Sequence, residues 1–339
     1  MKGKVYLIGA GPGDEGLITA KGLSILKEAD VIVYDRLANP SLLNNAKDNV
    51  ELIYVGKASS DHTLTQDEIN QVIVDKAKEG KIVARLKGGD PYVFGRGGEE
   101  GEYLLENGLN FEVVPGITSA IGGLAYAGIP ITHRDYASSF HVFTGHFKDD
   151  DRDHNWKSVS KLKGTLVFLM GLANIGKITD NLMEHGYDKD QKAAVIMEAA
   201  RPTQRVVTGT VETIARVAKE NKIKSPALVV IGGVVNLHGK LSSPLDGPLR
   251  GKTVLVTRAR KQSSSMVEKL KRDGANVIEL PAIKINEIVS NEDFKNISNK
   301  LNEYSHIVFT SVNGVRIFMD KLIENGMDSR KLANAIVVS

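Results

Sequence analysis

Short apolar runs rich in β-branched residues alternate along this chain with stretches of helical periodicity, and that alternation restricts it to α/β architectures. VYLIG (5–9), VIVYD (31–35), ELIYV (51–55), KIVARL (81–86) and FEVVP (111–115) read as strands, with helices over 17–29 and 66–79 between them. Strands separated by helices join as parallel βαβ units. Thr65, followed three residues later by Glu68, predicts a capping box opening the second helix. Beyond Pro115-Gly116 the spacing changes. SFHVFTG (139–145), TLVFLMG (165–171), KAAVIME (192–198), QRVVTGT (204–210) and ALVVIGGVV (227–235) lie closer together, with helices near 117–127, 173–185 and 211–220. This predicts a second α/β domain with some antiparallel pairing. The Gly-, Pro- and Ser-rich stretch that follows reads as a linker, after which the βα pattern restarts and ends on AIVVS. The expected organisation is domains at 1–114 and 115–238, a linker at 239–251 and a partial third α/β unit at 252–339.

The 339 residues include no cysteine, which removes disulfide frameworks, thiolate nucleophiles and Cys-ligated zinc or iron–sulfur centres. A net charge of +3 is too balanced to require nucleic acid or an anionic membrane as partner, though it is compatible with a local basic pocket. The run KDDDRDH (148–154) reads as a solvated loop, and no metal is expected. No apolar run approaches the ~18 residues of a membrane span, and MKGKVYLIGAGPGDEG is broken too early by Gly, Pro and acids to be a signal peptide. A soluble, cytoplasmic protein is expected.

Three segments carry the candidate chemistry. Gly11-x-Gly13-x-x-Gly16 follows a strand and Asp35 ends the next one, which at face value is a dinucleotide fingerprint and would indicate an NAD-dependent dehydrogenase. Pro12 and Asp14 count against it, because an acid there opposes a pyrophosphate; a plain turn, or a loop lining another ligand cleft, are the alternatives. The run GGDPYVFGRGGEE (88–100) is more specific, since it stacks glycines, Asp90 and an Arg directly after a strand, where open α/β sheets bind ligands. Glycine there admits close backbone approach. Thr118 and Ser119, in PGITSA (115–120), either cap a helix or face a ligand at the inter-domain hinge.

VYLIGAGPGD (5–14), VIVYDRL (31–37), VGK (55–57), RLKGGDPYVFGRGGEE (85–100), VVPGITSA (113–120), GIPITHR (128–134), FTGH (143–146), FLMG (168–171), TQRVVTGT (203–210) and SPALVVIGGVV (225–235) together resemble the tetrapyrrole (precorrin-type) methyltransferase family. The unbroken GITSA and THR segments resemble the branch acting on uroporphyrinogen III rather than on later corrin rings. The resemblance implies an α/β, two-domain tetrapyrrole-methylase fold with S-adenosylmethionine in the inter-domain cleft and S-adenosylhomocysteine as product. Pro12, Gly88, Gly89, Asp90, Val93, Thr118, Ser119, Met170, Ala200 and Ala227 would then form the cofactor pocket. Asp35 would be the proton acceptor and Lys57 the proton donor in methylation of uroporphyrinogen III at C2 and C7, giving precorrin-2 through precorrin-1 for sirohaem or cobalamin. Arg36, Arg85, Lys87, Arg96, His133 and Arg134 are the basic candidates for its eight carboxylates. A homodimer is implied, with neither nucleic acid nor membrane as partner; a non-catalytic tetrapyrrole-binding scaffold is the competing reading. GKTVLVTRARKQSSSM (251–266) and VFTSVNGV (308–315) resemble the first part of uroporphyrinogen-III synthase, here a partial flavodoxin-like unit from which no synthase activity is expected.

Overall fold

The computed structural model describes residues 3–56, 64–147, 153–241, 243, 246–257, 260–280, 282 and 290–338, with backbone alone for 260–264. Lys57 and most of the acidic run at 148–154 lie outside the described residues. Two compact units result, one of Met1–Val254 with Met266–Ile278 and one of Leu255–Ser265 with Glu279–Ser339.

In the larger unit, β1 (Lys4–Gly9), α1 (Ala20–Glu28), β2 (Val31–Tyr34), β3 (Glu51–Tyr54), α2 (Gln66–Lys78), β4 (Ile82–Lys87), α3 (Gly97–Glu106) and β5 (Phe111–Val114) build the first sheet. Its order is β3-β2-β4-β1-β5 and every pairing is parallel. Alternation sends Val5, Leu7, Val31, Val33 and Val83 to the face covered by α2 and α3, while Ile8, Ile32, Ala84 and Leu86 meet α1 on the other. The capping box is present: Thr65 accepts from the Glu68 N–H, and Glu68 Oε2 accepts from the Thr65 N–H at 2.6 Å. It starts a helix whose Ile69, Ile73, Val74 and Ala77 are buried, so Thr65→Ala is expected to cost about 1 kcal/mol. Thermal melting should show this as a loss of about 2–4 °C. The glycine motif holds a helix the sequence did not announce: α3 begins at Gly97, within the run 88–100.

The second sheet follows α4 (Ser119–Tyr126). It comprises β6 (Phe140–Thr144), β7 (Thr165–Leu169), β8 (Lys192–Met197), β9 (Arg205–Thr210) and β10 (Ala227–Ile231), with α5 (Trp156–Val159), α6 (Ile175–Glu184) and α7 (Ile214–Glu220). The order is β6-β7-β10-β8-β9. β6 and β7 are parallel, whereas β10 runs antiparallel to β7 and β8, and β8 to β9. Val167 and Leu169 face a core shared with α4; Leu166 and Phe168 face one shared with α5, α6 and α7. Asp153, just before α5, accepts from the Trp156 indole N–H at 2.9 Å and pairs with Lys177 at 2.8 Å.

From residue 253 the chain forms β11 (Thr253–Val256), α8 (Arg260–Arg272), β12 (Asn276–Glu279), α9 (Asn291–Ser298), β13 (His306–Val308), α10 (Val312–Glu324) and β14 (Ile336–Val338). In the smaller unit β13 and β14 pair in parallel, and Phe294, Leu301 and Leu322 make its core. No described helix is long and apolar enough to cross a membrane.

Candidate active site

Connections leave β1 and β4 in opposite directions across the first sheet, so their carboxyl ends part to form a crevice at the switch point. The two loops meet there. Gly11 and Gly89 exchange backbone hydrogen bonds at 3.2 and 2.8 Å, and Gly9 and Gly116 press backbone on backbone, a Cβ on Gly116 falling 2.3 Å from the Gly89 carbonyl oxygen. Asp90 ties the loops after β4 and β5 together: Oδ1 accepts from the Tyr92 N–H at 2.8 Å and Oδ2 from the Gly116 N–H at 2.9 Å. Its carboxylate thus builds the floor of the crevice.

The dinucleotide reading is overturned here. After Gly11 the chain enters a single 3-10 turn at Glu15–Leu17, and α1 starts only at Ala20, so no helix N-terminus faces the glycines. Asp14 fills the position instead, accepting from the Gly16 N–H and, at 2.7 Å each, from the Tyr126 hydroxyl. Burial, with the Asp14 hydrogen bond, raises the Tyr126 phenol above its ordinary pKa, so it acts as a donor.

The crevice opens into a cavity of about 690 Å³. Pro12, Asp35, Gly88, Gly89, Asp90, Val93, Thr118 and Ser119 line it from the first sheet, and Met170 and Ala227 from the second. Gly89 (φ +69°) leaves open the space a Cβ would fill, with Thr118 Cα no nearer than 3.9 Å, so a ligand can approach the backbone there. Thr118 lines the cavity and also caps α4 through the Ala120 N–H. Ala200 is a correction: it is 1% exposed and absent from the lining, which Ala199 joins instead. Left-handed backbone at Glu198 (φ 49°) and Ala200 (φ 58°) breaks the alternation of β8, and the Ala200 N–H is taken by Gln204. Phe94, Arg96 and Met170 also sit at positive φ beside the cavity, and such backbone concentrates at functional sites.

Asp35, at the end of β2, stands partly exposed on the cavity wall. Its Oδ1 accepts from the Leu37 N–H at 2.9 Å and its Oδ2 pairs with Arg85 at 3.2 Å. Of the six basic candidates, Arg36, Arg85, Lys87 and Arg96 line the cavity, while His133 and Arg134 do not. Arg85 and Lys87 are buried in ion pairs, and burial with the neighbouring Arg85 charge lowers the Lys87 pKa. Arg201 and Glu198 also line the cavity. Neither carried a motif in the sequence; only their place after β8 could have pointed to them.

Residues 4–215 match the family model for Tetrapyrrole (Corrin/Porphyrin) Methylases, and residues 264–339 that for Uroporphyrinogen-III synthase HemD. The porphyrin biosynthesis protein HemD of Ruminiclostridium josui is 45% identical over 98% of this chain, which spans 66% of that protein's length, just under two thirds. The uroporphyrinogen-III C-methyltransferase of Priestia megaterium is 52% identical over 69% of this chain and 99% of its own length. The uroporphyrin-III C-methyl transferase of Thermus thermophilus, solved in complex with S-adenyl homocysteine, covers 69% of this chain at 39% identity with a TM-score of 0.60. Its fold is the two-sheet α/β arrangement found here. With the family model spanning well over half its length, this chain belongs to the tetrapyrrole (corrin/porphyrin) methylases.

Proposed function

We propose that this chain transfers methyl groups from S-adenosylmethionine to uroporphyrinogen III, first at C2 and then at C7, yielding precorrin-2 by way of precorrin-1. The observation that carries the reading is the cavity itself, in which a glycine floor open to a ligand and the partly exposed carboxylate of Asp35 share a wall. S-adenosylmethionine, when bound, supplies an electrophilic methyl group on a sulfonium sulfur. The nucleophile is an electron-rich pyrrole carbon, and forming the new C–C bond leaves the macrocycle a proton in excess. Asp35 accepts that proton, a task suited to a carboxylate beside the reacting ring. Lys57 is the proton donor in this reading, returning a proton to the macrocycle for any removed beyond the one that each methyl displaces. Pro12, Gly88, Gly89, Asp90, Val93, Thr118, Ser119, Met170 and Ala227 hold the cofactor, with Ala199 in the position expected of Ala200. Arg36, Arg96 and Arg201 on the cavity wall offer guanidinium groups to the carboxylates of the substrate. The reading includes a homodimer and a product destined for sirohaem or cobalamin.

Incubation of the protein with methyl-labelled S-adenosylmethionine and uroporphyrinogen III, without oxygen, is expected to place two labels in each tetrapyrrole and release two S-adenosylhomocysteines. Label remaining wholly in the cofactor rules the reading out.

A further inference from the structure

Side chains of β4 alternate between two faces, and Val83, Arg85 and Lys87 share the one packed against α2 and α3. That face is apolar at Val83 and charged at the next two positions, both buried, Arg85 at 3% and Lys87 at 4% exposure. Two cations withdrawn from water need an anion, and α3 supplies Glu100, itself 1% exposed. Glu100 Oε1 accepts from Lys87 Nζ at 2.7 Å, from Arg85 Nε at 3.2 Å and from Gln66 Nε2 at 3.3 Å. Its Oε2 is buried with no hydrogen-bond partner among the described residues. A carboxylate oxygen buried in this state lowers stability. The carboxylate thus neutralises both cations through Oε1 alone, and its bond to Arg85 leads on to the cavity.

Arg85 makes that connection. Its Nε is held by Glu100 and its Nη1 by the carbonyls of Leu86 at 3.2 Å and Val33 at 3.5 Å, which leaves Nη2 to hold Asp35 Oδ2 at 3.2 Å. The guanidinium is planar and rigid, so fixing two of its nitrogens fixes the third. We propose that Glu100 is a positioning residue for methyl transfer, fixing the Arg85 guanidinium so that Arg85 sets where the Asp35 carboxylate stands in the cavity. Glu100 does not itself line the cavity; its partners Arg85, Lys87 and Gln66 do, and of these Arg85 is the one bonded to Asp35. Lys87 completes the set, two carboxylates against two cations. The proposal rests on the reading of Asp35 as proton acceptor.

A double-mutant cycle of Glu100→Gln and Asp35→Asn tests it, with kcat, KM for uroporphyrinogen III, S-adenosylhomocysteine affinity by calorimetry and melting temperature measured for each protein. Glu100→Gln alone is expected to lower kcat about tenfold, with KM and S-adenosylhomocysteine affinity within about twofold of the parent. In the Asp35→Asn background the same change should cost less than about twofold, because the group being positioned is gone. Equal losses in the two backgrounds overturn the proposal and leave the proton-acceptor reading standing. An unchanged kcat for Asp35→Asn alone overturns that reading, and the proposal with it. A crystal structure of Glu100→Gln should show Arg85 Nη2 drawn away from Asp35; an unmoved pair alongside the lost kcat also overturns the proposal. Should the glutamine variant not fold, Glu100→Asp, which keeps the charge and shortens the reach, takes its place in the same cycle with the same non-additivity expected.

Discussion

Asp35→Asn is expected to lower kcat for methylation of uroporphyrinogen III about 100-fold or more, while S-adenosylhomocysteine binds within about threefold of its original affinity. The asparagine keeps the shape of the side chain, and its oxygen can still accept from the Leu37 N–H that holds Asp35 at the end of β2. What it loses is the ability to take a proton. It also presents an amide donor to the Arg85 guanidinium, a donor against a donor, at a position where the carboxylate now accepts at 3.2 Å. Calorimetry with S-adenosylhomocysteine separates the two parts the residue can play. If binding collapses with turnover, Asp35 is a cofactor ligand; if only turnover falls, it handles the proton.

Gly116→Ala should be nearly as damaging by a different route. A Cβ there would stand 2.3 Å from the Gly89 carbonyl oxygen and 2.6 Å from Gly9 Cα, and both obstacles are backbone, which no change of rotamer can move aside. Relief requires the strand ends of β1, β4 and β5 to separate, and the Gly116 N–H bond to Asp90 stretches with them. A loss of about 2–3 kcal/mol is expected, seen as a fall of roughly 5–10 °C in melting temperature. S-adenosylhomocysteine affinity should drop by more than about tenfold, because the floor moves with the strands. Gly98→Ala is the control: nothing lies within 4 Å of its Cβ, in the exposed first turn of α3, so binding should stay unchanged and stability hold or rise slightly. Comparable losses from both variants would mean that the contact among Gly9, Gly89 and Gly116 does not set the crevice.

How much of this was legible in the sequence depended on whether the information was local. Strand positions in both sheets could be read because β-branched runs are short and bounded by turn residues, and the capping box of Thr65 and Glu68 is contained in four residues. The closer spacing after residue 139 signalled antiparallel pairing, which β8, β9 and β10 show. Helix α3 was hidden because its first residues are two glycines, whose helical propensity is poor and whose place is decided by the Gly97 N–H bond to the Pro91 carbonyl. Ala200 was misplaced by one residue because a positive φ at Glu198 changes which side chain faces the cavity, and dihedral angles are not written in residue order. Arg85 and Lys87 looked like ligands for an anionic substrate. Their partner Glu100 lies on the next helix, and only the fold shows that the three share one buried face. Asp90 lines the cavity as a candidate ligand-binding acid, and only the fold shows that both its oxygens also accept from backbone N–H groups.

The strand order of the first sheet also governs how the molecule can be made. β1, made before the other strands of its sheet, pairs on one side with β4, where Lys4 meets Ile82, and on the other with β5, where Val5 meets Phe111. Both neighbours are distant in sequence, so β1 stays without a partner in its sheet while α1, β2 and β3 leave the ribosome, and pairing of this kind is slow to form. At roughly 5–20 residues per second of translation, that interval lasts several seconds. The crevice lies between β1 and β4, so it cannot close before β4 has emerged. A nascent sheet without β4 has no place for a ligand, and Val5, Leu7 and Ile8, all fully buried in the finished sheet, are apolar side chains that await their cover until then.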